Sequence, residues 1–191
     1  MRSALLVVTL LSTGCIPRLY GEEHTWEPPL NSWDLAEPPG DLVGEGWGVG
    51  DVAPDFRLTD QFGDSVSLWQ FYGQVLLVDI STMWCAPCQE LAKHTEATWQ
   101  DYRDQGFVYL TVLQEDVEGG PVEQEDLTKW ADTFGITAPV LDDSTKGATG
   151  SAIQQGIFPA VLVVGRDMRV IERVNPVEEK RVRAAIEAAL E

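Results

Sequence analysis

The fold is decided by residues 75–88, which read VLLVDISTMWCAPC. The run at 75–80 is apolar on both alternating faces except at Asp79, and this pattern predicts a central strand covered on both sides by helices. After Cys88, apolar or small side chains recur on one face of a predicted helix, at Leu91, Ala92, Thr95, Trp99 and Tyr102. Cys85 and Cys88 therefore lie between a buried strand and the start of a helix.

The position of this cysteine pair favours a thiolate. A thiolate, not a thiol, attacks disulfides, and the free N–H groups and positive dipole end of a helix N-terminus stabilise it. Pro87 is compatible with the first turn because its missing N–H would have no helical partner there. The spacing also allows a disulfide to close without unwinding the chain. We expect Cys85, nearer the loop, to be the exposed attacking thiol and Cys88 to be the resolving thiol.

Two other uses of the cysteine pair are open at this point. Structural zinc requires four ligands, and besides its cysteines the chain offers only His24 and His94. A permanent structural disulfide would close so short a loop that it would stabilise the fold little. We expect no metal and no cofactor, since the chain also lacks a fingerprint for FAD or NAD.

Asp79 is a lone acid in a central apolar strand, which is costly unless its carboxyl group is paired or protonated. Burial disfavours the charged form, so we expect the pKa of Asp79 to be raised. A place beneath the two cysteines would let this carboxylate take a proton from Cys88. A buried acid bonded only to backbone groups is the alternative.

Further strands and helices alternate along the chain. Strands are predicted at 56–58, 66–68, 107–113, 140–141, 160–164 and 170–174. Helices are predicted over 123–134 and 177–190, with a weak helix near 146–154. This alternation indicates an α/β layer fold, and the short turn at 165–168 makes the last two strands antiparallel, so the sheet is mixed. Pro159 opens the strand at 160–164, where a trans bond is the default and a cis bond the alternative.

The first residues have the layout of a secretory signal, with Arg2, an apolar run at 4–11 and small residues before Cys15. The run is too short to span a bilayer as a helix. Residues 12–15 resemble the cleavage site of bacterial lipoproteins, although Ser12 stands where an aliphatic residue is usual. That resemblance implies a signal peptide over 1–14 and lipidation of Cys15. An ordinary secreted protein with a stray cysteine is the alternative.

A change in composition near residue 50 divides the remainder of the chain into two parts. Residues 15–50 are rich in Pro, Gly and acidic residues and predict a tether, while residues 51–191 predict the folded domain. Trp26, Trp33 and Trp47 are unusual for a disordered linker, so we expect part of the tether to contact the domain surface or a partner. The formal net charge of -18 disfavours nucleic-acid binding. A membrane link would have to come from lipid rather than from surface charge.

Residues 78–88 resemble the active-site stretch of thioredoxins. Residues 53–60, which read APDFRLTD, and the following Gly63 and Val66-Ser67-Leu68 resemble the start of the TlpA/ResA branch of that family. The resemblance covers about residues 51–191 and implies an α/β, thioredoxin-like three-layer fold with a central mixed β-sheet flanked by helices. It also implies a thiol–disulfide oxidoreductase on the extracytoplasmic side, where many members of this branch are anchored to a membrane.

The resemblance assigns roles by position. The implied catalytic residues are Cys85 as nucleophile, Cys88 as resolving cysteine, Asp79 as buried acid and Pro159 as cis-proline. The implied substrate groove is lined by Trp84, Ala86, Pro87 and Phe158. Ile157 stands where Gly is common in the family and Phe158 is bulky, so the usual partners are in doubt. The acidic stretch at 114–125 is either an insertion or a solvated loop.

Proline between the cysteines resembles the members that reduce disulfides, so we expect reduction of exported proteins with electrons from a membrane or extracytoplasmic donor protein. A thiol peroxidase is the alternative because peroxiredoxins share the opening segment, but their signature requires a proline at the position of Val78. Copper-handling relatives use a CxxxC spacing that is absent here. A binding module that only uses the scaffold is a further alternative, since a fold alone never proves activity.

Overall fold

The computed structural model describes residues 26–191. Its strands are β1 (Arg57–Asp60), β2 (Ser65–Ser67), β3 (Val75–Ser81), β4 (Phe107–Leu113), β5 (Val140–Asp142), β6 (Ala160–Val164) and β7 (Val170–Val174). Its helices are α1 (Ala86–Tyr102), α2 (Gln124–Phe134) and α3 (Glu179–Leu190). The predicted signal peptide and the predicted lipidation site at Cys15 lie outside the described residues.

The strands form one seven-stranded sheet in the order β2-β1-β5-β4-β3-β6-β7. The middle strands β3, β4 and β5 are parallel, whereas β6 and β7 on one side and the β1–β2 hairpin on the other are antiparallel to their neighbours. Strand β3 lies between β4 and β6, and each of its residues is buried. The predicted α/β class with a central mixed sheet is therefore confirmed.

The two faces of the sheet are covered differently. Buried residues of all three helices join one apolar cluster with Val75 and Leu77 of β3. The opposite cluster, with Leu76 and Val78, is closed by the chain before β1, by the 3-10 turn Leu68–Phe71 and by the turn at Met168. The expectation of helices on both sides of β3 is thus wrong for the second side. An apolar run shows that both faces are buried but not which element covers them.

The weak helix predicted near 146–154 is a single 3-10 turn, Gly150–Ala152. The carboxylate of Asp143 accepts hydrogen bonds from the backbone N–H groups of Ala148 and Thr149, which takes the place of helical bonding. Two glycines in the same segment, Gly147 and Gly150, further weaken a helix.

Residues 26–50 contain no helix or strand, yet they lie on the domain. Their three tryptophans each donate an indole N–H to it: Trp26 to Ser67 Oγ at 3.1 Å, Trp33 to Asp60 Oδ2 at 2.6 Å and Trp47 to the Ala148 carbonyl at 3.1 Å. Trp47 is buried in the cluster on the face away from the helices. The part of the predicted tether that the structure describes therefore contacts the domain surface. Within residues 26–191, no helix combines the length and apolar character needed to cross a membrane.

Candidate active site

A disulfide joins Cys85 and Cys88 where β3 leads into α1, with their Cα atoms 5.2 Å apart. Cys85 is the N-cap residue of α1, and its Sγ accepts a hydrogen bond of 3.3 Å from the backbone N–H of Cys88. Pro87 lies in the first turn, where its missing N–H costs no helical bond. The structure thus places the pair at a helix N-terminus, as the sequence predicts, where free N–H groups stabilise a thiolate.

The two sulfur-bearing residues differ less in exposure than expected. Cys85 is only 4% exposed and Cys88 is fully buried. The expectation of an exposed Cys85 is wrong for this oxidised form, because the Cys85 sulfur is bonded to Cys88 and also faces a backbone N–H. The surface beside the disulfide is formed instead by the indole of Trp84, which is 48% exposed.

The carboxyl group of Asp79 is buried and lies on the helix-covered side of the sheet. Alternation along β3 gives it the same face as Val75 and Leu77, whose cluster includes Cys85 and Cys88. Ser81 Oγ donates to Asp79 Oδ1 at 2.7 Å, and the Tyr109 hydroxyl donates to Oδ2 at 3.3 Å. The partners are therefore side chains, not backbone groups.

Burial raises the pKa of Asp79 to about 6, and the hydrogen bonds from Ser81 and Tyr109 oppose that rise. Burial, followed by the nearby Asp79 charge, raises the pKa of Tyr109 well above its usual range, so its hydroxyl keeps its proton. Asp79 is the group in this cluster whose charge changes near neutral pH. A buried carboxylate with such a pKa can exchange a proton with a neighbouring thiol.

A groove of about 270 Å³ opens beside the disulfide. Its walls include Pro87 from the cysteine motif, the segment 157–161 and the segment 173–177. The Phe158–Pro159 peptide bond is cis, as the family resemblance implies. The Phe158 ring meets the Trp84 indole edge-on, with ring centroids 6.1 Å apart. Of the predicted groove residues, Pro87 and Phe158 line this groove, Trp84 contacts Phe158, and Ala86 begins α1.

Trp84 is held by a charged pair. Its indole N–H donates to Glu115 Oε2 at 2.7 Å, and the other carboxylate oxygen of Glu115 binds Lys146. A backbone hydrogen bond also links the two segments: the Met83 N–H donates to the Glu115 carbonyl at 2.9 Å. The hydrogen bond from Lys146 and then that from Trp84 lower the pKa of Glu115, so it stays ionised.

Replacing Glu115 by Ala is expected to release the Trp84 indole. The exchange rate of the indole N–H proton should rise about tenfold, because a hydrogen bond to a charged acceptor is among the stronger ones. NMR measures this rate, and the Trp84→Phe variant assigns the signal. Lys146→Ala is the matched control, since it keeps the bond to Trp84 and removes only the outer charge. Equal exchange rates in wild type and Glu115→Ala would show that Phe158 packing alone holds the ring.

Sequence reasoning missed Glu115 and Tyr109. Glu115 lies in the acidic stretch at 114–125, where one acid among many carries no signal of its own. Tyr109 belongs to the apolar run of β4, and its approach to Asp79 depends on the pairing of β3 with β4. Among residues 26–191, no group of three or more His, Cys, Asp or Glu side chains is arranged to hold a metal ion.

Comparisons with known proteins agree with this geometry. The model of the AhpC/TSA family matches residues 49–173. The thiol-disulfide oxidoreductase ResA of Geobacillus kaustophilus is 28% identical over 122 residues, which are 64% of this chain and 66% of that protein. The chain thus spans slightly less than two thirds of this relative's length.

Solved structures show the same fold. The thioredoxin domain of a thiol-disulfide oxidoreductase from Bacteroides vulgatus matches with a TM-score of 0.64 and 22% identity, covering 76% of this chain and 100% of that domain. Peroxiredoxin Q from Xanthomonas campestris matches with a TM-score of 0.60 and 13% identity, covering 71% of this chain and 92% of that one. At these identities the likeness concerns the fold alone.

Proposed function

Because the chain belongs to the AhpC/TSA family, we propose that it is a thioredoxin-like thiol–disulfide oxidoreductase that reduces disulfides of exported proteins through Cys85 and Cys88. The observation that carries the proposal is the Cys85–Cys88 disulfide at the N-terminus of α1, beside a groove of about 270 Å³ that Pro87, Phe158 and Pro159 line. The similarity to ResA supports the same reaction.

The reaction starts from the dithiol form of the protein. The Cys85 thiolate attacks one sulfur of the substrate disulfide, forming a mixed disulfide and releasing the other substrate sulfur, which takes up a proton. The Cys88 thiolate then attacks the Cys85 sulfur, which forms the Cys85–Cys88 disulfide and releases the second substrate sulfur as a thiolate that takes up a proton. Two electrons pass to the substrate, and the protein ends in the oxidised form seen here.

Asp79 assists the second step. Its ionised carboxylate takes the proton of Cys88, directly or through water, so that Cys88 attacks as a thiolate. Three features support this role: Asp79 is buried, it lies on the same face of the sheet as Cys85 and Cys88, and its pKa is raised. The raised pKa allows the carboxyl group to accept and return a proton near neutral pH.

The groove supplies the docking site for the partner. Phe158, Pro159 and Pro87 form apolar surface next to the disulfide, and Trp84 extends it towards Glu115. The electron donor that regenerates the dithiol is a membrane or extracytoplasmic protein with its own dithiol. We place the protein on the extracytoplasmic side of a bacterial cell, held to a membrane by lipid on Cys15, and the support for this is the signal-like sequence at 1–15.

The test is the equilibrium reduction potential of the Cys85–Cys88 pair. The full-length chain with Cys15→Ser, so that only this pair titrates, is equilibrated with glutathione or dithiothreitol mixtures. A potential near thioredoxin's, about −270 mV, fits a reductase fed by a donor dithiol. A potential near about −120 mV would make the protein a disulfide donor and overturn the proposed direction.

A thiol peroxidase is the second candidate, favoured by the AhpC/TSA match and by the fold shared with peroxiredoxin Q. Two features oppose it: Val78 occupies the position of the signature proline, and the resolving cysteine lies on the same helix turn as Cys85. Consumption of hydrogen peroxide by the reduced protein separates the two candidates. Turnover with peroxide that is faster than turnover with peptide disulfides would favour the peroxidase.

A further inference from the structure

Arg173 is a cation that lines the groove beside the disulfide. It lies on β7, paired in register with Leu162 of β6, and it is partly buried. Among residues 26–191, no carboxylate forms an ion pair with it and no acceptor takes a hydrogen bond from its guanidinium group. Other cations of the domain have carboxylate partners: Lys146 pairs with Glu115, and Arg181 pairs with Glu172.

Among the described residues, 26–191, Arg173 is the single charged one that lines the groove. The remaining lining is apolar or neutral: Pro87, Gln154, Ile157, Phe158, Pro159, Ala160, Val161, Val174, Asn175, Pro176 and Val177. Burial lowers the pKa of Arg173, and no negative group of the domain offsets this cost. An arginine is nevertheless charged at every physiological pH, so a partly desolvated positive charge stands unpaired at the docking site.

The overall charge makes this feature more significant. A chain with a net charge of -18 has many acidic side chains that could neutralise an arginine, yet none in the part of the chain that the structure describes pairs with Arg173. An unpaired, partly buried guanidinium favours an incoming carboxylate, which it can bind through two parallel N–H···O bonds. The apolar walls on either side are suited to aliphatic or aromatic side chains that flank such a carboxylate.

We propose that the groove selects partner polypeptides that carry an Asp or Glu side chain close to their disulfide, and that Arg173 binds this carboxylate. This inference rests on the proposed function, since the partner is the disulfide substrate. Pro87 lines the same groove and stands between the two cysteines, so the groove that Arg173 lines adjoins the disulfide. Arg173 is thus a specificity-determining residue and takes no part in thiol exchange.

The expected partner is not acidic as a whole. Long-range repulsion from the acidic surface slows the approach of strongly acidic proteins. Within the groove, the charge of Arg173 acts at short range and stabilises the binding of one carboxylate placed next to it. The groove therefore favours neutral or basic exported proteins with a single acidic residue next to an accessible disulfide.

The test uses pre-reduced full-length protein and synthetic peptides with one internal disulfide, amidated at the C-terminus. Each residue flanking the cysteines is Glu, Gln or Lys in turn, and the rate constant for reduction is measured for each peptide. At one position the wild type should prefer Glu over Gln about fivefold, as expected for a partly exposed, charge-assisted pair. In Arg173→Gln this ratio should fall to about one. Arg173→Lys should give an intermediate ratio, because it keeps the charge but loses the planar fork.

The rate constant for the Glu peptide is divided by that for the Gln peptide within each variant, so a general loss of stability or activity cancels from the ratio. Arg103→Gln is the matched control: it removes the same charge after the far end of α1 and should keep the wild-type ratio. A Glu preference that survives Arg173→Gln, or no preference while all peptides are reduced, overturns this inference and leaves the proposed function intact. A parallel peptide series with free C-termini tests chain ends: a preference seen only in that series assigns the groove to chain ends and also overturns this inference. Failure to reduce any peptide defeats the proposed function, and this inference with it.

Discussion

Replacing Cys85 by Ser is expected to lower the rate of disulfide reduction by at least about a thousandfold, whereas Cys88→Ser should halt the reaction at the mixed disulfide. A serine hydroxyl is a far weaker nucleophile than a cysteine thiolate and requires activation by an adjacent base. Cys85 is the N-cap of α1, where the helix favours its thiolate, so attack begins there. Cys88 is fully buried and reaches Cys85 rather than the substrate.

Mass spectrometry after acid quenching distinguishes the two variants. Cys88→Ser incubated with a substrate of two peptide chains joined by one disulfide should gain the mass of one chain, and treatment with dithiothreitol should remove it. Cys85→Ser should gain no such mass. The control is Cys15→Ser, which leaves both cysteines of the pair in place and should reduce peptides at the wild-type rate.

Adduct formation by Cys85→Ser at the rate expected of Cys88→Ser would reverse the assigned roles of the two cysteines. Wild-type function in a cell that carries only Cys85→Ser would instead favour a binding module that uses the scaffold without thiol exchange. Neither result is compatible with the reaction steps proposed above.

The sequence was sufficient to predict the parts of the site that depend on local order along the chain. The buried run ending at Ser81 and the helix starting at Ala86 place Cys85 and Cys88 at a helix N-terminus, whatever the rest of the molecule does. The raised pKa of Asp79 likewise follows from an acid in an apolar strand. Short-range patterns also predict the β1–β2 hairpin, the strands at 107–113, 160–164 and 170–174, and the end of α2 at Gly135.

Other parts depend on which segments meet in three dimensions. Tyr109 reaches Asp79 because β4 pairs with β3 in a particular register, and Arg173 joins the groove because β7 pairs with β6. The Glu115–Trp84 bond links residues 31 positions apart. The tryptophans before β1 indicated from composition that this segment contacts the domain. Their hydrogen-bond acceptors, such as the buried Asp60, could be identified only from the three-dimensional structure.

Asp79→Asn is expected to make the protein more stable at neutral pH and slower in its second chemical step. The folded-state pKa of Asp79 is about 6, against a usual value of 3.8, so the folded protein holds this proton more tightly than the unfolded chain. The free energy of unfolding therefore includes a contribution that is fully present below the unfolded pKa. It is lost as the pH rises towards the folded pKa, because ionisation of a buried carboxyl is costly.

The shift of roughly two pKa units corresponds to about 3 kcal/mol of unfolding free energy lost by the wild type as the pH rises from about 4 to above 6. Asn cannot ionise, so Asp79→Asn should not show this loss. Its side-chain oxygen can still accept from Ser81, and its amide can donate to the Tyr109 oxygen, so the buried hydrogen bonds are kept. Urea unfolding at a series of pH values measures the difference between the two proteins. Parallel profiles across this pH range would contradict the raised pKa.

The same substitution should slow the displacement of Cys85 by Cys88 about a hundredfold, the scale of a lost general base. In the wild type this step should accelerate as the pH rises through about 6, since the ionised carboxylate is the base; in Asp79→Asn this acceleration should disappear. Ser81→Ala provides the matched control. It removes a hydrogen bond that favours the charged form of Asp79, so the acceleration should move to higher pH rather than vanish. Because the buried carboxyl costs stability at the pH where it is useful, a variant that gains stability without losing rate would show that Asp79 has no part in the reaction.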